Sequence, residues 1–287
     1  MDEYRTKAYA KINLGLDVVK RLPNGYHQVK MVMQSIGLWD VLTFRRIPEG
    51  IHITSDTQGL PLDENNLIYK AAALMFKKHR ILSGVHIHLE KNIPIAAGMA
   101  GGSTDAAAAI KGICRLFGLD LPLEQLMEYG VSIGADVPYC LMGGTALAEG
   151  IGEKLTALKP LPDCPILVTT PNISVSTKYV YEHLDAQGLT AHPDIDGMTK
   201  AVRAGNLSGV ISRMENVLET VTVPAYPIID TIKKRMRSLG AAGSLMSGSG
   251  PTVFGIFPAG QEETAKAALD SLRQEGLAKQ AFLVRPV

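Results

Sequence analysis

The sequence predicts an α+β protein of two halves, each a mixed sheet covered by helices. Three observations predict it. Strand-like and helix-like periodicities alternate along the chain. A glycine-rich loop separates one clear strand pattern from one clear helix pattern. Three prolines in the seven residues Lys159-Pro160-Leu161-Pro162-Asp163-Cys164-Pro165 mark a boundary. The expected domains are therefore 1–158 and 159–287.

Taken in order, Thr6 to Val19 and Val41 to Ile53 carry strand patterns. Asn66 to His79 reads as a helix, with Leu67, Ala71, Leu74 and Met75 on one face. Val85 to Lys91 alternates apolar and polar residues, as a half-buried strand does. The loop Pro94-Ile95-Ala96-Ala97-Gly98-Met99-Ala100-Gly101-Gly102-Ser103-Thr104-Asp105 follows it. Ala106, Ile110, Ile113, Cys114 and Phe117 then fall at helical spacing. Past the boundary come a strand (Ile166 to Thr170), helices, and a second glycine-rich turn from Gly240 to Pro251. Thr252 to Phe257 reads as a buried strand, Gln261 to Glu275 as a helix and Gln280 to Arg285 as a last strand.

Composition bounds the function. The 287 residues are 46% hydrophobic, enough to bury a sizeable core. A net charge of +1 argues against a nucleic-acid partner, which needs a basic excess. Cys114, Cys140 and Cys164 are odd in number and widely spaced, so neither a disulfide framework nor a zinc site is expected. A reducing cytoplasm fits that usage. Met1 to Arg5 lacks the apolar stretch of a signal peptide, and no apolar run has bilayer-spanning length. No membrane association is expected.

The first glycine loop has the chemistry of an anion site. A helix start offers backbone N–H groups and the positive end of the helix dipole. Gly98, Gly101 and Gly102 let the backbone approach closely. Ser103, Thr104 and Asp105 stand where N-caps stand, and Ser103 or Thr104 has a hydroxyl suited to magnesium on a phosphate. A tight turn capped in the ordinary way explains the composition equally well. The loop is neither a Walker A motif nor a Rossmann fingerprint, and the protein-kinase signatures are absent.

Three segments in order carry a resemblance. They are Tyr9-Ala10-Lys11-Ile12-Asn13-Leu14-Gly15, the loop ending Gly101-Gly102-Ser103-Thr104-Asp105, and the turn Ser247-Gly248-Ser249-Gly250-Pro251. Together they resemble the GHMP kinases. Pro23-Asn24-Gly25-Tyr26-His27, Gly134-Ala135-Asp136-Val137-Pro138 and Ala148-Glu149-Gly150-Ile151-Gly152-Glu153 narrow it to a branch whose acceptor is a cytidine diphosphate-linked polyol. The resemblance spans essentially the whole chain. It implies an N-terminal domain like ribosomal protein S5, a ferredoxin-like α/β C-terminal domain and an active site in the cleft between them. It also implies ATP and magnesium, small-molecule substrates, and a monomer or homodimer.

The resemblance assigns roles residue by residue. It implies that Lys11 and Asp136 flank the acceptor hydroxyl, with Asp136 taking its proton. A water-facing strand lysine and a self-capping turn aspartate are the ordinary alternatives. Asn13 shares a strand face with Lys11 and is expected to bind the acceptor or hold Asp136. Tyr26 is expected to stack on cytosine and the His27 imidazole or nearby backbone to hydrogen-bond its edge, on a turn set by Asn24-Gly25. Tyr181 is implied as a second stacking wall and Thr177 as a diphosphocytidyl contact. Ser247 and Gly248 are expected on the acceptor side. Asn66, Lys91 and the loop from Pro94 to Thr104 are expected to bind ATP. One departure stands out: the stretch Ala96-Ala97-Gly98-Met99-Ala100 has less glycine than the resemblance implies. His86 and His88 share a strand face, but without a third ligand they read as a solvated face.

Other readings remain. A homoserine or mevalonate type of kinase needs no cytosine clamp, so Tyr26 and His27 count against it. A non-catalytic regulator on the same scaffold is disfavoured by the presence of Lys11 and Asp136. An RNA-binding module is disfavoured by the near-zero charge.

Overall fold

The computed structural model describes residues 3–23, 25–186, 188–189 and 191–287. Two long strands open the chain, β1 (Glu3–Arg21) and β2 (His27–Ile47), followed by β3 (Ile51–Ser55). Then come α1 (Leu67–His79), β4 (Gly84–Glu90), α2 (Gly101–Phe117), α3 (Leu123–Val131) and α4 (Val137–Met142). Two short strands, β5 (Thr145–Glu149) and β6 (Lys154–Ala157), precede β7 (Ile166–Thr170). Five helices follow: α5 (Thr177–His183), α6 (Ile195–Arg203), α7 (Leu207–Ile211), α8 (Glu219–Ala225) and α9 (Ile228–Ser238). The chain ends with β8 (Gly243–Met246), β9 (Val253–Ile256), α10 (Glu262–Gln274) and β10 (Gln280–Val284).

The chain forms two compact units, discontinuous in sequence. One contains residues 1–10, 38–95 and 100–143; the other contains 11–37, 96–99 and 144–287. This is a division by packing, where the 158/159 boundary is a division by chain order.

In the first unit the latter part of β2 pairs antiparallel with β4, and β3 pairs parallel with β4. One sheet face is apolar. Leu42, Phe44, Ile53, Val85, Ile87 and Leu89 point from it into the core against α1 and α2. Helix α2 lies close because its inner side is small: Ala106 to Ala109 are all buried. Gly112 is required there, since a Cβ would fall 2.4 Å from the Phe44 ring. Helix α1 starts as its sequence suggests, with Asn66 Oδ1 accepting from the Ile68 N–H at 2.8 Å.

In the second unit the first part of β2 pairs antiparallel with β5, and β5 with β6. A four-stranded antiparallel sheet follows the order β10-β7-β9-β8. All five residues of β7 are buried, and α9 and α10 pack on this sheet.

Several expectations are corrected. The stretch Val41 to Ile53 is the end of β2 plus β3, broken where Gly50 takes φ +78°. On α1 the fully buried residues are Ile68, Ala71, Ala72 and Met75, while Leu67 and Leu74 are half-buried. The second glycine-rich segment is not one turn. Gly243–Met246 pairs with β9 as β8, and only residues 247–252 make the turn. At the β1–β2 hairpin, Asn24 lies outside the described residues. The Leu22 N–H bonds the Tyr26 carbonyl at 2.7 Å across that connection.

Candidate active site

The residues singled out in the sequence fall into two groups, one in each unit. In the first unit, α2 begins one turn earlier than its side chains suggest. The N-cap is Ala100, in left-handed geometry with φ 57°, and no side chain caps the helix. Ser103, Thr104 and Asp105 therefore lie inside α2, which corrects their expected place as caps. The backbone reversal at Ala100, not a polar side chain, starts the helix. The N–H groups of Gly101, Gly102 and Ser103 have no intrahelical acceptor by helix geometry. Thr104 is buried and donates its hydroxyl to the Tyr9 carbonyl at 2.8 Å. Ser103 is left as the hydroxyl suited to a magnesium ion.

The stem leading into the loop is tied down by charge. Lys91 is buried, and its ammonium contacts Asp40 on β2 and Asp105 on α2, the latter at 2.7 Å. Asp40 Oδ1 accepts the N–H groups of Asn92 and Ile93 at 2.6 and 2.7 Å. Burial lifts the Asp105 carboxyl to about 8, against the pull of Lys91. Burial opposes the charge on Lys91, but Asp105 and Asp40 outweigh it and raise its pKa. Sequence reasoning gave Lys91 to the nucleotide and missed both partners. A visible signal was Asp40 itself, a charge within the otherwise apolar run from Ile36 to Leu42.

Asn66 is committed to its helix, capping Ile68 and donating to the Pro61 carbonyl at 2.7 Å. Ile95 is 55% exposed at the loop's entry. Asp136 is the N-cap residue of α4 by position, yet its side chain makes no capping hydrogen bond. The ordinary self-capping explanation thus fails, and the carboxylate is half-buried.

In the second unit, Lys11 is only 5% exposed, so it is not a water-facing strand lysine. Its ammonium donates to Asn13 Oδ1 at 2.8 Å, as residues two apart on one strand face allow. The loop tip, Ala96 to Met99, joins this group. The Lys11 N–H bonds the Met99 carbonyl at 3.2 Å, and Ser247 Oγ donates to the Gly98 carbonyl at 2.9 Å. Gly98 has φ +76°, and a Cβ on it would meet the Ser247 carbonyl at 2.4 Å. Only glycine fits there. Ala96 also has positive φ, at 52°.

Asn216 holds the Ser247 turn. Its side-chain amide donates to the Met246 and Gly248 carbonyls at 2.9 and 2.8 Å. A Cβ placed on Gly248 would lie 3.6 Å from Asn13 Oδ1. Lys11, Asn13, Gly98, Ser247 and Gly248 are thus gathered. Thr177 reaches the same turn, its hydroxyl 2.8 Å from Ser249 Oγ. Tyr181 lies one turn further along α5 and pairs with His27, ring centroids 5.2 Å apart. Tyr26 is 59% exposed beside them in sequence. Burial, and then the Arg21 charge, lower the His27 pKa.

The two strand histidines, His86 and His88, each hydrogen-bond Thr54 Oγ1 at 2.9 Å. Among the described residues, no group of three or more His, Cys, Asp or Glu side chains is placed to hold a metal. No helix is long and apolar enough to cross a membrane among the described residues.

Comparison with known proteins follows this geometry. The model of the GHMP kinases N terminal domain matches residues 66–144, and that of the GHMP kinases C terminal matches 198–277. A protein of Lachnospira eligens named 4-diphosphocytidyl-2-C-methyl-D-erythritol kinase is 56% identical over 98% of both chains. A crystal structure of 4-(cytidine 5'-diphospho)-2C-methyl-D-erythritol kinase superimposes with TM-score 0.84 at 32% identity, covering 99% of each chain. A homoserine kinase from Cytophaga hutchinsonii has TM-score 0.80 at 20% identity, covering 100% of this chain and 95% of its own, a likeness of fold alone.

Proposed function

This chain belongs to the GHMP kinases, and from that premise we propose that it transfers the γ-phosphoryl group of ATP to the 2-hydroxyl of 4-diphosphocytidyl-2-C-methyl-D-erythritol. The products are the 2-phosphate and ADP, and the reaction belongs to the non-mevalonate route to isoprenoid precursors. The observation that carries the reading is the 56% identity to a protein of that activity over 98% of both chains.

The residues support a division of labour. Asp136 takes the hydroxyl proton as the acceptor oxygen bonds to phosphorus and the bond to ADP breaks. Its half-buried place at the start of α4 supports that role. Lys11 supplies positive charge to the transferring phosphoryl oxygens. Asn13, beside Lys11, orients that ammonium and the acceptor. The N–H groups at the start of α2 and the loop backbone receive the ATP phosphates. Magnesium, when bound with ATP, neutralises phosphate charge. Ser103 is the side chain that would hold it.

Tyr181, His27 and Tyr26 form the cytosine end, and Thr177 serves the diphosphate. Homoserine and mevalonate have no base for these rings to hold. The test is ADP release with MgATP and each candidate alcohol. Turnover with the diphosphocytidyl substrate, and not with homoserine or mevalonate, is expected. Turnover of homoserine or mevalonate at equal rate would overturn the reading.

A further inference from the structure

We propose that Asp40, Lys91 and Asp105 are positioning residues for ATP, a buried clamp that fixes the spacing between the two stems of the phosphate loop without touching the nucleotide. The inference rests on the loop being the ATP phosphate site. The incoming stem is Lys91 to Ile93, and the outgoing stem is the first turns of α2. Asp40 holds the incoming stem through the Asn92 and Ile93 N–H groups at 2.6 and 2.7 Å. Lys91 crosses from that stem to the outgoing one, pairing with Asp105 at 2.7 Å. It also contacts Asp40, which closes the three groups on one another.

The outgoing stem is shaped around the ammonium. A Cβ on Gly101, the first residue of α2, would lie 3.0 Å from Lys91 Nζ and 3.2 Å from Ile93 Cγ2. The glycine is thus where the lysine passes. A cation is an unfavourable neighbour for a helix N-terminus. The Asp40 and Asp105 oxygens that bind the ammonium offset it, and the helix start is left to receive phosphate. All three side chains are at most 5% exposed, so they act through the backbone they hold. Asp105 Oδ1 has no hydrogen-bond partner among the described residues, so Asp105 makes its contact with Lys91 through the other oxygen.

A merely stabilising cluster would change the unfolding midpoint and nothing specific to ATP. Kinetics and ADP titration on the purified full chain separate the two. Asp105→Ala is expected to raise KM for ATP and Kd for ADP by roughly tenfold to a hundredfold, the effect of displacing binding groups by about an ångström. The acceptor KM should stay unchanged. Asp105→Asn, which keeps an acceptor for Lys91, should recover most of the loss. Should Asp105→Ala fail to fold, the paired change Lys91→Met with Asp105→Leu removes the bridge between the stems, leaving Asp40 on the Asn92 and Ile93 N–H groups, and serves instead. Wild-type ADP affinity in a folded paired variant would overturn the proposal, as would equal losses toward ATP and acceptor. ADP titration needs no turnover, so it reads the clamp even if the proposed acceptor proves wrong.

Discussion

Lys11 donates a 2.8 Å hydrogen bond to Asn13 Oδ1, with both side chains shut away from water. The Asn13 amide oxygen helps to orient the ammonium. That is the condition for a lysine meant to stabilise charge on a reacting group. Lys11→Met should therefore lower kcat by roughly 10²–10³-fold, comparable to removing one preorganised donor. KM for ATP should move little. A coupled ADP-release assay decides it, and an unchanged kcat would remove Lys11 from the chemistry.

Asp136→Asn should lower kcat by about 10²–10⁴-fold, the usual worth of a general base. The same change should not carry the stability cost of a lost N-cap. An N-cap substitution ordinarily costs ~0.5–2 kcal/mol, but this side chain makes no capping hydrogen bond. Differential scanning calorimetry beside the kinetics checks both halves. A lower midpoint with normal kcat would return Asp136 to a structural role.

Tyr181→Ala should raise the acceptor KM through loss of about 1–3 kcal/mol of base stacking. Tyr26→Ala should act in the same direction. KM for ATP should not follow. If Tyr181→Ala raises both constants together, the ring is packing α5 and not holding a base.

Acid should weaken the acceptor's hold late. His27 has its pKa lowered from 6.5 by burial and then by the Arg21 charge. The imidazole thus gives up its proton at lower pH than a free one, and it is neutral through the neutral range. With the neutral ring as the binding form, acceptor KM should rise on acidification with a midpoint below pH 6.5. His27→Gln should abolish that rise. A rise with its midpoint above pH 6.5, or an unchanged profile in His27→Gln, would assign the titration elsewhere.

Ala100→Gly should leave the unfolding free energy unchanged or higher. Left-handed alanine costs roughly 1–2 kcal/mol, and glycine removes that strain at about 0.4–1 kcal/mol of unfolded-state entropy. Ala107→Gly, inside α2 and buried, should instead lose about 1 kcal/mol or more. Urea unfolding of the pair gives the contrast. Equal losses at both positions would contradict the backbone geometry at Ala100.

Much of this was legible in the chain. Alternation in Val85 to Lys91 gave β4, and the apolar spacing after the loop gave α2. Lys11 and Asn13 could be placed on one face from spacing alone. What stayed hidden depended on partners far apart in sequence. Lys91 meets Asp40 across 51 residues, and no local pattern carries such a pairing. β8 was concealed because its four residues sit among glycines, where turn chemistry reads more strongly than a short strand. The cap at Ala100 was invisible because alanine rarely takes positive φ, so the hydroxyls after it drew the attention instead. The contact of His27 with Tyr181 was not legible, since spacing names neighbours along a strand and not across to a helix.

Gly98 carries a consequence for anyone seeking to block this protein with a drug. Its backbone carbonyl is held by Ser247, and its Cα hydrogen faces the Ser247 carbonyl with no room for a methyl group. Every other amino acid would collide there. A compound that takes its grip from the Gly98 peptide leans on a position where a single-codon escape damages the loop itself. Resistance would have to arise elsewhere.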